Sequence, residues 1–139
     1  MALHLIKLAV GVDDVEHLRQ IQRERRRARG RCCFFTRNTP RRAEEVLDGG
    51  SIYWVVKGWV SVRQRIVGIG TAPDDEGRQL CAVEYEQKLV EVEWRSWRPF
   101  QGWRYLLAAD APPDRRALPD GSDEPPPEMA RALRELGLL

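Results

Sequence analysis

Alternation of apolar and polar residues in the middle of the chain constrains the fold most. The period of two runs through residues 59–66 and again through 89–95, apart from a polar break at Gln64. Such a period puts successive side chains on opposite faces of an extended strand. Arg63 and Arg65 therefore share one face, which is either solvated or ligand-facing, and the two stretches predict strands with one buried face.

Shorter segments complete an α+β pattern. Asp13 and Glu16 resemble a capping box, and Thr39–Pro40 is typical of a helix start. Strands dominate the middle of the chain and helices its ends, which predicts a curled, mostly antiparallel sheet with flanking helices. We expect strands near 3–10, 52–57, 59–70, 80–85 and 89–97, a short apolar piece at 32–35, and helices near 14–29, 40–48 and 127–136.

A length of 139 residues is most simply one domain. We expect residues 1–109 to form a single α+β domain. Residues 110–139 are rich in proline and aspartate, and we expect a coil and a short C-terminal helix that pack on the same domain. With neither a membrane-spanning apolar run nor a signal-peptide pattern, we expect a cytoplasmic protein that binds no membrane.

Charge is unevenly distributed although the net charge is only +2. Residues 19–42 contain ten arginines and a single acid, whereas residues 110–128 contain six acids and two arginines. Beyond Ile21 the first helix has no apolar stripe, so we expect a basic arm that projects into water. This asymmetry indicates either a face for an anionic partner or an acidic tail that folds back over the basic helix.

Residues 94–105 carry the strongest functional signal. They contain three of the five tryptophans, with three arginines, a phenylalanine and a tyrosine. Planar cations beside aromatic faces can hold a base by stacking and its phosphate by charge. The same composition could instead be a strand and turn that bury the tryptophans, and the sequence leaves both interpretations open.

Basic residues elsewhere extend this candidate site. Arginines surround the predicted helix start at 37–42, where free backbone N–H groups would favour an anion. We expect the arginines on the strand at 59–70 to meet a turn after the last strand, where Trp103 stacks on a base. The candidate nucleic-acid-binding residues are Arg37, Lys57, Arg63, Arg65, Trp97, Arg98, Gln101, Trp103 and Arg104.

The chain offers little material for catalysis or for a metal site. Cysteines, histidines and carboxylates show no metal-ligand spacing. Cys32 and Cys33 are adjacent and the cysteine count is odd, so we expect buried, free thiols in a reducing compartment. Ser51 lacks a nucleophile-elbow pattern. We expect no cofactor, no metal and no catalytic residue.

Several long strings resemble an uncharacterised family of small proteobacterial proteins, a domain of unknown function. They lie at residues 1–8, 36–45, 47–58, 62–66 and 98–106, so they run through nearly the whole chain. The resemblance implies a small bacterial protein but brings no activity with it.

The order of elements is also similar to that of the PUA, ASCH and EVE group of small barrels. A helix ends in Gly49–Gly50, a strand follows at 52–56, another at 62–70, and the arginine–tryptophan segment closes the series. This similarity implies a small PUA-like barrel that binds RNA or a modified base beside the barrel. The glycine–lysine–threonine pattern of ASCH domains is missing.

The sequence therefore favours a non-catalytic nucleic-acid-binding module, with single-stranded RNA or a modified base as its ligand. A different anionic ligand remains open. One alternative is a small enzyme that uses the same arginines, with Ser51 or Asp48, on a phosphorylated small molecule. Another is an adaptor whose exposed tryptophans anchor a protein partner.

Overall fold

A computed structural model describes residues 2–74 and 76–115. The described part contains two helices and seven strands, which confirms the α+β class. In chain order the elements are β1 (Leu3–Leu8), α1 (Val15–Arg29), β2 (Cys33–Thr36), α2 (Ala43–Leu47), β3 (Ser51–Val56), β4 (Trp59–Pro73), β5 (Gln79–Tyr85), β6 (Val90–Ser96) and β7 (Trp103–Leu107).

The long strand β4 organises the sheet. Its first half pairs with β3 on one edge and β6 on the other, and its second half pairs with β5. The sheet runs β2-β5-β4-β3-β1-β7, with β6 as a branch from β4. Only β1 and β3 are parallel among the pairs in the described residues. The expected mostly antiparallel pattern is confirmed.

Irregular pairing along β4 bends the sheet into a half-barrel. The register shifts between Val60 and Val62 opposite β6, and between Ile66 and Gly68 opposite β5. A bulge inserts an unpaired residue, which bends its strand and increases the local twist. Because of the two bulges, β4 passes from the part of the sheet that it shares with β3 and β6 into the part that it shares with β5.

Hydrophobic side chains fill both faces of the curled sheet. The first core lies beneath α1 and includes Leu5, Ile52 and Trp54. The second core lies on the opposite face and includes Ile6 and Tyr53. Leu5 and Ile6 are adjacent in β1, and Tyr53 and Trp54 are adjacent in β3, so period-two geometry sends neighbours to different cores.

Gln64, the polar break in the alternation of β4, is completely buried in the first core. Its amide exchanges two hydrogen bonds with the Gln22 amide of α1, at 2.7 and 2.9 Å. Its Oε1 also accepts from the Trp54 indole N–H at 2.8 Å, and its Nε2 donates to the Glu86 carbonyl at 2.9 Å. Every side is partnered, which is the condition under which a buried amide is tolerated.

Two helix starts differ from the sequence expectation. The N-cap of α1 is Asp14, whose carboxylate accepts from the His17 backbone N–H at 2.7 Å, and not Asp13. Helix α2 begins at Ala43, three residues after Pro40, and its cap residue Arg42 makes no side-chain capping bond. The Arg42 backbone N–H donates to the Tyr105 hydroxyl at 3.1 Å, so a contact with β7 satisfies this N–H just before the helix.

The expected turn after β6 was also wrong in part. Residues 103–107 form strand β7, which pairs antiparallel with β1 from Leu3 to Lys7. The expected helix at 127–136 and most of the 110–139 tail lie outside the described residues. No helix in the part of the chain that the structure describes is long and apolar enough to cross a bilayer.

We predict that Gln64→Leu lowers the free energy of unfolding by about 3 kcal/mol, because it leaves the Gln22 amide and the Trp54 N–H buried without partners. Urea denaturation measures the change. Gln101→Leu is the matched control, since Gln101 is exposed. If the Gln64→Leu protein is as stable as the parent, the amide network makes no net contribution to the free energy of unfolding.

Candidate nucleic-acid interface

An open groove lies between the loop at 37–41 and strand β7. Its volume is about 560 Å³, and we call it the β7 groove. Because β7 pairs with β1, its alternate residues Trp103 and Tyr105 both pack against the first core. The groove is lined by Arg37, Asn38, Thr39, Arg41, Trp103, Arg104 and Tyr105.

Hydrogen bonds fix the aromatic side of the groove. The Trp103 indole N–H donates to the Asn38 carbonyl at 2.9 Å. Its ring meets Tyr105 edge to face, with centroids 5.0 Å apart. The Tyr105 hydroxyl accepts the Arg42 backbone N–H described above, so two bonds tie the loop to the strand. The half-buried rings are therefore held in place before any ligand binds.

Positive charge dominates the groove. Arg37, Arg41 and Arg104 are exposed, and no carboxylate is among the described lining residues. The Arg104 guanidinium lies 5.6 Å from the Phe100 ring centroid. The neighbouring Arg42 is different, because Glu45 binds its guanidinium through two hydrogen bonds of 2.9 and 2.6 Å. Within residues 2–74 and 76–115 no carboxylate pairs with Arg37, Arg41 or Arg104, so these three cations are available to an anion at this surface.

Arg63 takes part in a different arrangement. Its guanidinium donates to both carboxylate oxygens of Asp114, each at 2.7 Å, and to the Ser51 hydroxyl at 3.1 Å. The hydrogen bond from Arg63 lowers the pKa of Asp114 below its ordinary value. Arg63 therefore holds the segment after β7 against the sheet.

That segment also pairs with β6. The Glu93 N–H donates to the Pro113 carbonyl at 2.9 Å, and the Arg115 N–H donates to the Glu91 carbonyl at 2.8 Å. Val92 and Asp114 form the bridge between these two bonds. Residues 113–115 therefore act as a short extra strand beside β6.

The remaining candidate residues do not line the β7 groove. Lys57 occupies the β3–β4 turn with a φ of 50°, and its Nζ lies 3.3 Å from an Asp13 carboxylate oxygen. Arg65 is exposed on β4 opposite Ser51. Trp97 packs against the second core. Arg98 is exposed next to it.

Gln101 is exposed beside Arg104, and its backbone carbonyl accepts from that guanidinium at 3.1 Å. Of the nine candidates, the structure brings Arg37, Trp103 and Arg104 together. Arg63 and Arg65 of β4 were expected to reach this surface, but neither is among the residues that line it.

The groups suggested for catalysis are arranged differently from an active nucleophile. Ser51 is 1% exposed. The His4 Nδ1 accepts the Ser51 backbone N–H at 3.0 Å and so is not directed at the hydroxyl. Burial, and then the charge of Arg63, lower the pKa of His4. Asp48 is exposed at the end of α2. Within the described residues the Ser51 hydroxyl is bonded to the Arg63 cation and not to a base that could activate it.

The cysteines and the potential metal ligands of the described residues also show no arrangement typical of a reactive site. All three cysteines lie outside disulfides in the structure, and their expected burial is confirmed. Burial is the main cause that raises the pKa of Cys32, which is the opposite of an activated thiolate. Within residues 2–74 and 76–115 no group of three metal-ligating side chains is close enough to hold an ion. None of the five tryptophans, all of them described, is fully exposed, so an adaptor would have only partly accessible anchors.

The family assignment rests on a match over nearly the whole chain. The family model of DUF1489, described as a protein of unknown function, matches residues 5–139. The chain belongs to the DUF1489 family. No curated protein and no solved structure matches it significantly. The expected membership in a family of unknown function is confirmed. The DUF1489 match includes all residues of the β7 groove but assigns none of them a role.

Sequence reasoning gave three residues of the β7 groove no role. Asn38 and Thr39 were part of a predicted helix start, where only the backbone N–H groups and the arginines, Arg41 among them, were expected to bind an anion. Tyr105 is the last residue of the aromatic segment at 94–105, but it was given no role of its own. Its period-two spacing from Trp103 was a signal for a strand with both rings on one face.

The Arg63–Asp114 pair gives a pH-dependent prediction. We expect Asp114→Asn to lower the free energy of unfolding by about 1 kcal/mol at neutral pH, a modest value because Asp114 is half exposed. The folded-state pKa is lowered, so the contribution is present above the unfolded pKa and is lost as pH falls through the folded pKa. Parent and variant should therefore converge in acid.

Chemical denaturation across pH measures this difference. Asp110→Asn is the control, because Asp110 is exposed and forms no ion pair in the described residues. A deficit of equal size at every pH would contradict the ion-pair origin and indicate lost packing.

Proposed function

We propose that the protein is a non-catalytic nucleic-acid-binding module that takes single-stranded RNA in the β7 groove. The observation that carries the proposal is the combination, in one concavity, of two fixed aromatic rings and three arginines that no carboxylate of the described residues pairs. Phosphates supply negative charge that balances the arginines, and a base supplies the flat face that stacks on an aromatic ring.

The state of the rings supports a stacking role. The hydrogen bond to Asn38 and the edge contact with Tyr105 fix the plane of Trp103. A ring already held in its binding orientation loses little side-chain entropy when a base stacks on it. The exposed part of Trp103 is thus a prepared platform, flanked by Arg37 and Arg104.

The aromatic side of the groove favours a single strand over a duplex. Duplex bases are stacked on one another, so an aromatic platform reaches only splayed bases. The exposed side chains of Asn38 and Thr39 are hydrogen-bonding groups beside the arginines. Such groups can bond the 2′-hydroxyl, the feature by which proteins distinguish RNA from DNA. These observations favour RNA among nucleic acids.

The charge of the groove can be tested with a triple variant. Changing Arg37, Arg41 and Arg104 to glutamine should weaken binding to single-stranded oligoadenylate and lower the log–log salt slope by up to about two units, at roughly 0.7 per lost contact. Fluorescence anisotropy over a salt series measures both quantities. The three arginines are exposed, so thermal stability should hardly change.

The matched control removes the same charge elsewhere. It replaces Arg19, Arg23 and Arg27 of α1, which do not line the β7 groove, with glutamine. Its loss of affinity should be smaller than that of the groove variant. Equal losses would mean that general surface charge, not the groove, attracts RNA, and no binding by the parent protein would reject the proposal.

The stacking contact is tested by Trp103→Ala. We expect about a tenfold or greater loss of affinity for the same RNA, since a base–aromatic stack contributes roughly 1–3 kcal/mol. Trp103 also packs against the first core, so the melting temperature should fall while the protein stays folded.

Trp94→Ala is the control for loss of a half-buried indole. Trp94 lies on β6, outside the residues that line the groove. It should leave RNA affinity unchanged. A Trp103→Ala protein that melts cooperatively and binds RNA as well as the parent would remove stacking from the proposal.

A further inference from the structure

A second cavity lies between α1 and the sheet, and the proposed RNA site does not use it. Its volume is about 320 Å³, and we call it the α1 cavity. Helix α1 contributes Leu18 and Ile21, and the end of β1 contributes Leu8 and Ala9. The walls are therefore mostly apolar, and the size is at the lower end of the range for ligand pockets.

Three aromatic rings form one side of the α1 cavity. Phe34 meets Trp54 with ring centroids 6.0 Å apart and meets Tyr85 at 6.5 Å. Trp54 and Tyr85 are 5.8 Å apart and nearly perpendicular. Edge-to-face and tilted contacts of this kind are the favoured geometries for aromatic neighbours. A flat ring entering the cavity would meet the same favourable surroundings.

A lysine shares this apolar wall. Lys7 pairs with Trp54 in the parallel register of β1 and β3, so both side chains leave the same face of the sheet. Its Nζ lies 5.8 Å from the Phe34 ring centroid. Burial, and then the charge of Arg25, lower the pKa of Lys7. Both causes disfavour the protonated amine in the structure as it stands.

Lys7 and Arg25 both line the α1 cavity, and no carboxylate is among its described lining residues. No ion pair joins Lys7 to a carboxylate in residues 2–74 or 76–115. An anion at this position would relieve the repulsion between Lys7 and Arg25 and favour the protonated lysine.

We propose that the α1 cavity is a binding site for a small aromatic carboxylate. The ring lies against Phe34, Trp54 and Tyr85, and the carboxylate binds the Lys7 ammonium with Arg25 beside it. The volume suits a single ring or a compact fused pair and not a nucleotide with its sugar and phosphates. The inference is independent of RNA binding in the β7 groove.

The competing explanation is a snorkelling lysine. In that case the Lys7 stem packs on Phe34, its amine reaches water, and the space beside it holds only solvent. The two explanations predict different effects of the ligand's charge on its affinity. A solvent-filled recess binds a charged and a neutral aromatic molecule of one shape equally weakly, whereas the proposed site prefers the carboxylate.

The test compares phenylacetate with phenylacetamide, which has the same ring and no charge. Amide chemical-shift titrations of the parent protein should saturate for phenylacetate, with the largest shifts at residues that line the α1 cavity. Phenylacetamide should bind about tenfold or more weakly, as expected for loss of a charge-assisted contact. Equal affinities, shifts elsewhere, or no saturation would overturn the proposal.

Variants add a second readout. Lys7→Gln should reduce phenylacetate affinity about tenfold while leaving phenylacetamide unaffected. Arg19→Gln removes a cation from α1 outside the cavity and should change neither affinity. If Lys7→Gln fails to fold, the two-probe comparison on the parent protein decides alone. RNA affinity should be the same in the Lys7 variant and the parent, which separates this site from the β7 groove.

Discussion

The carboxamide of Gln64 joins four parts of the chain. It bonds α1 through Gln22, β3 through Trp54, and the backbone after β5 through Glu86, while its own backbone belongs to β4. These bonds lie in the interior, where an amide without partners is strongly unfavourable. The position of α1 over the sheet is therefore specified by hydrogen-bond geometry as well as by hydrophobic contact. Both walls of the α1 cavity depend on that position.

Local patterns predicted the elements whose pairing is local. Strands β3 and β4 are joined by the tight Lys57–Gly58 turn, and their alternation was visible from the sequence. Strand β7 was missed because its partner β1 is at the other end of the chain. Composition and the proline and glycine before Trp103 indicated a turn. No local sequence pattern predicts that Leu3 pairs with Leu107.

The candidate site was predictable to the extent that its residues are adjacent in sequence. Trp103 and Arg104 stood out by composition, but Asn38, which holds the indole, is 65 positions away. Arg63 was expected to face a ligand, and its partner Asp114 is 51 positions away. A strand face shows which side chains point together, but it cannot show which distant carboxylate neutralises them. The α1 cavity was invisible for the same reason, because several separate elements enclose it.

Residues 113–115 have a consequence for how the protein meets other copies of itself. In the described residues, β6 pairs with β4 on one side and with this short segment on the other. A strand with a free edge presents open N–H and C=O groups, to which a strand of another molecule can add. By pairing on both sides of Val92, the segment occupies those groups at the middle of β6. The ion pair between Arg63 and Asp114, which holds this segment in place, thus helps to keep β6 from pairing with a strand of another molecule.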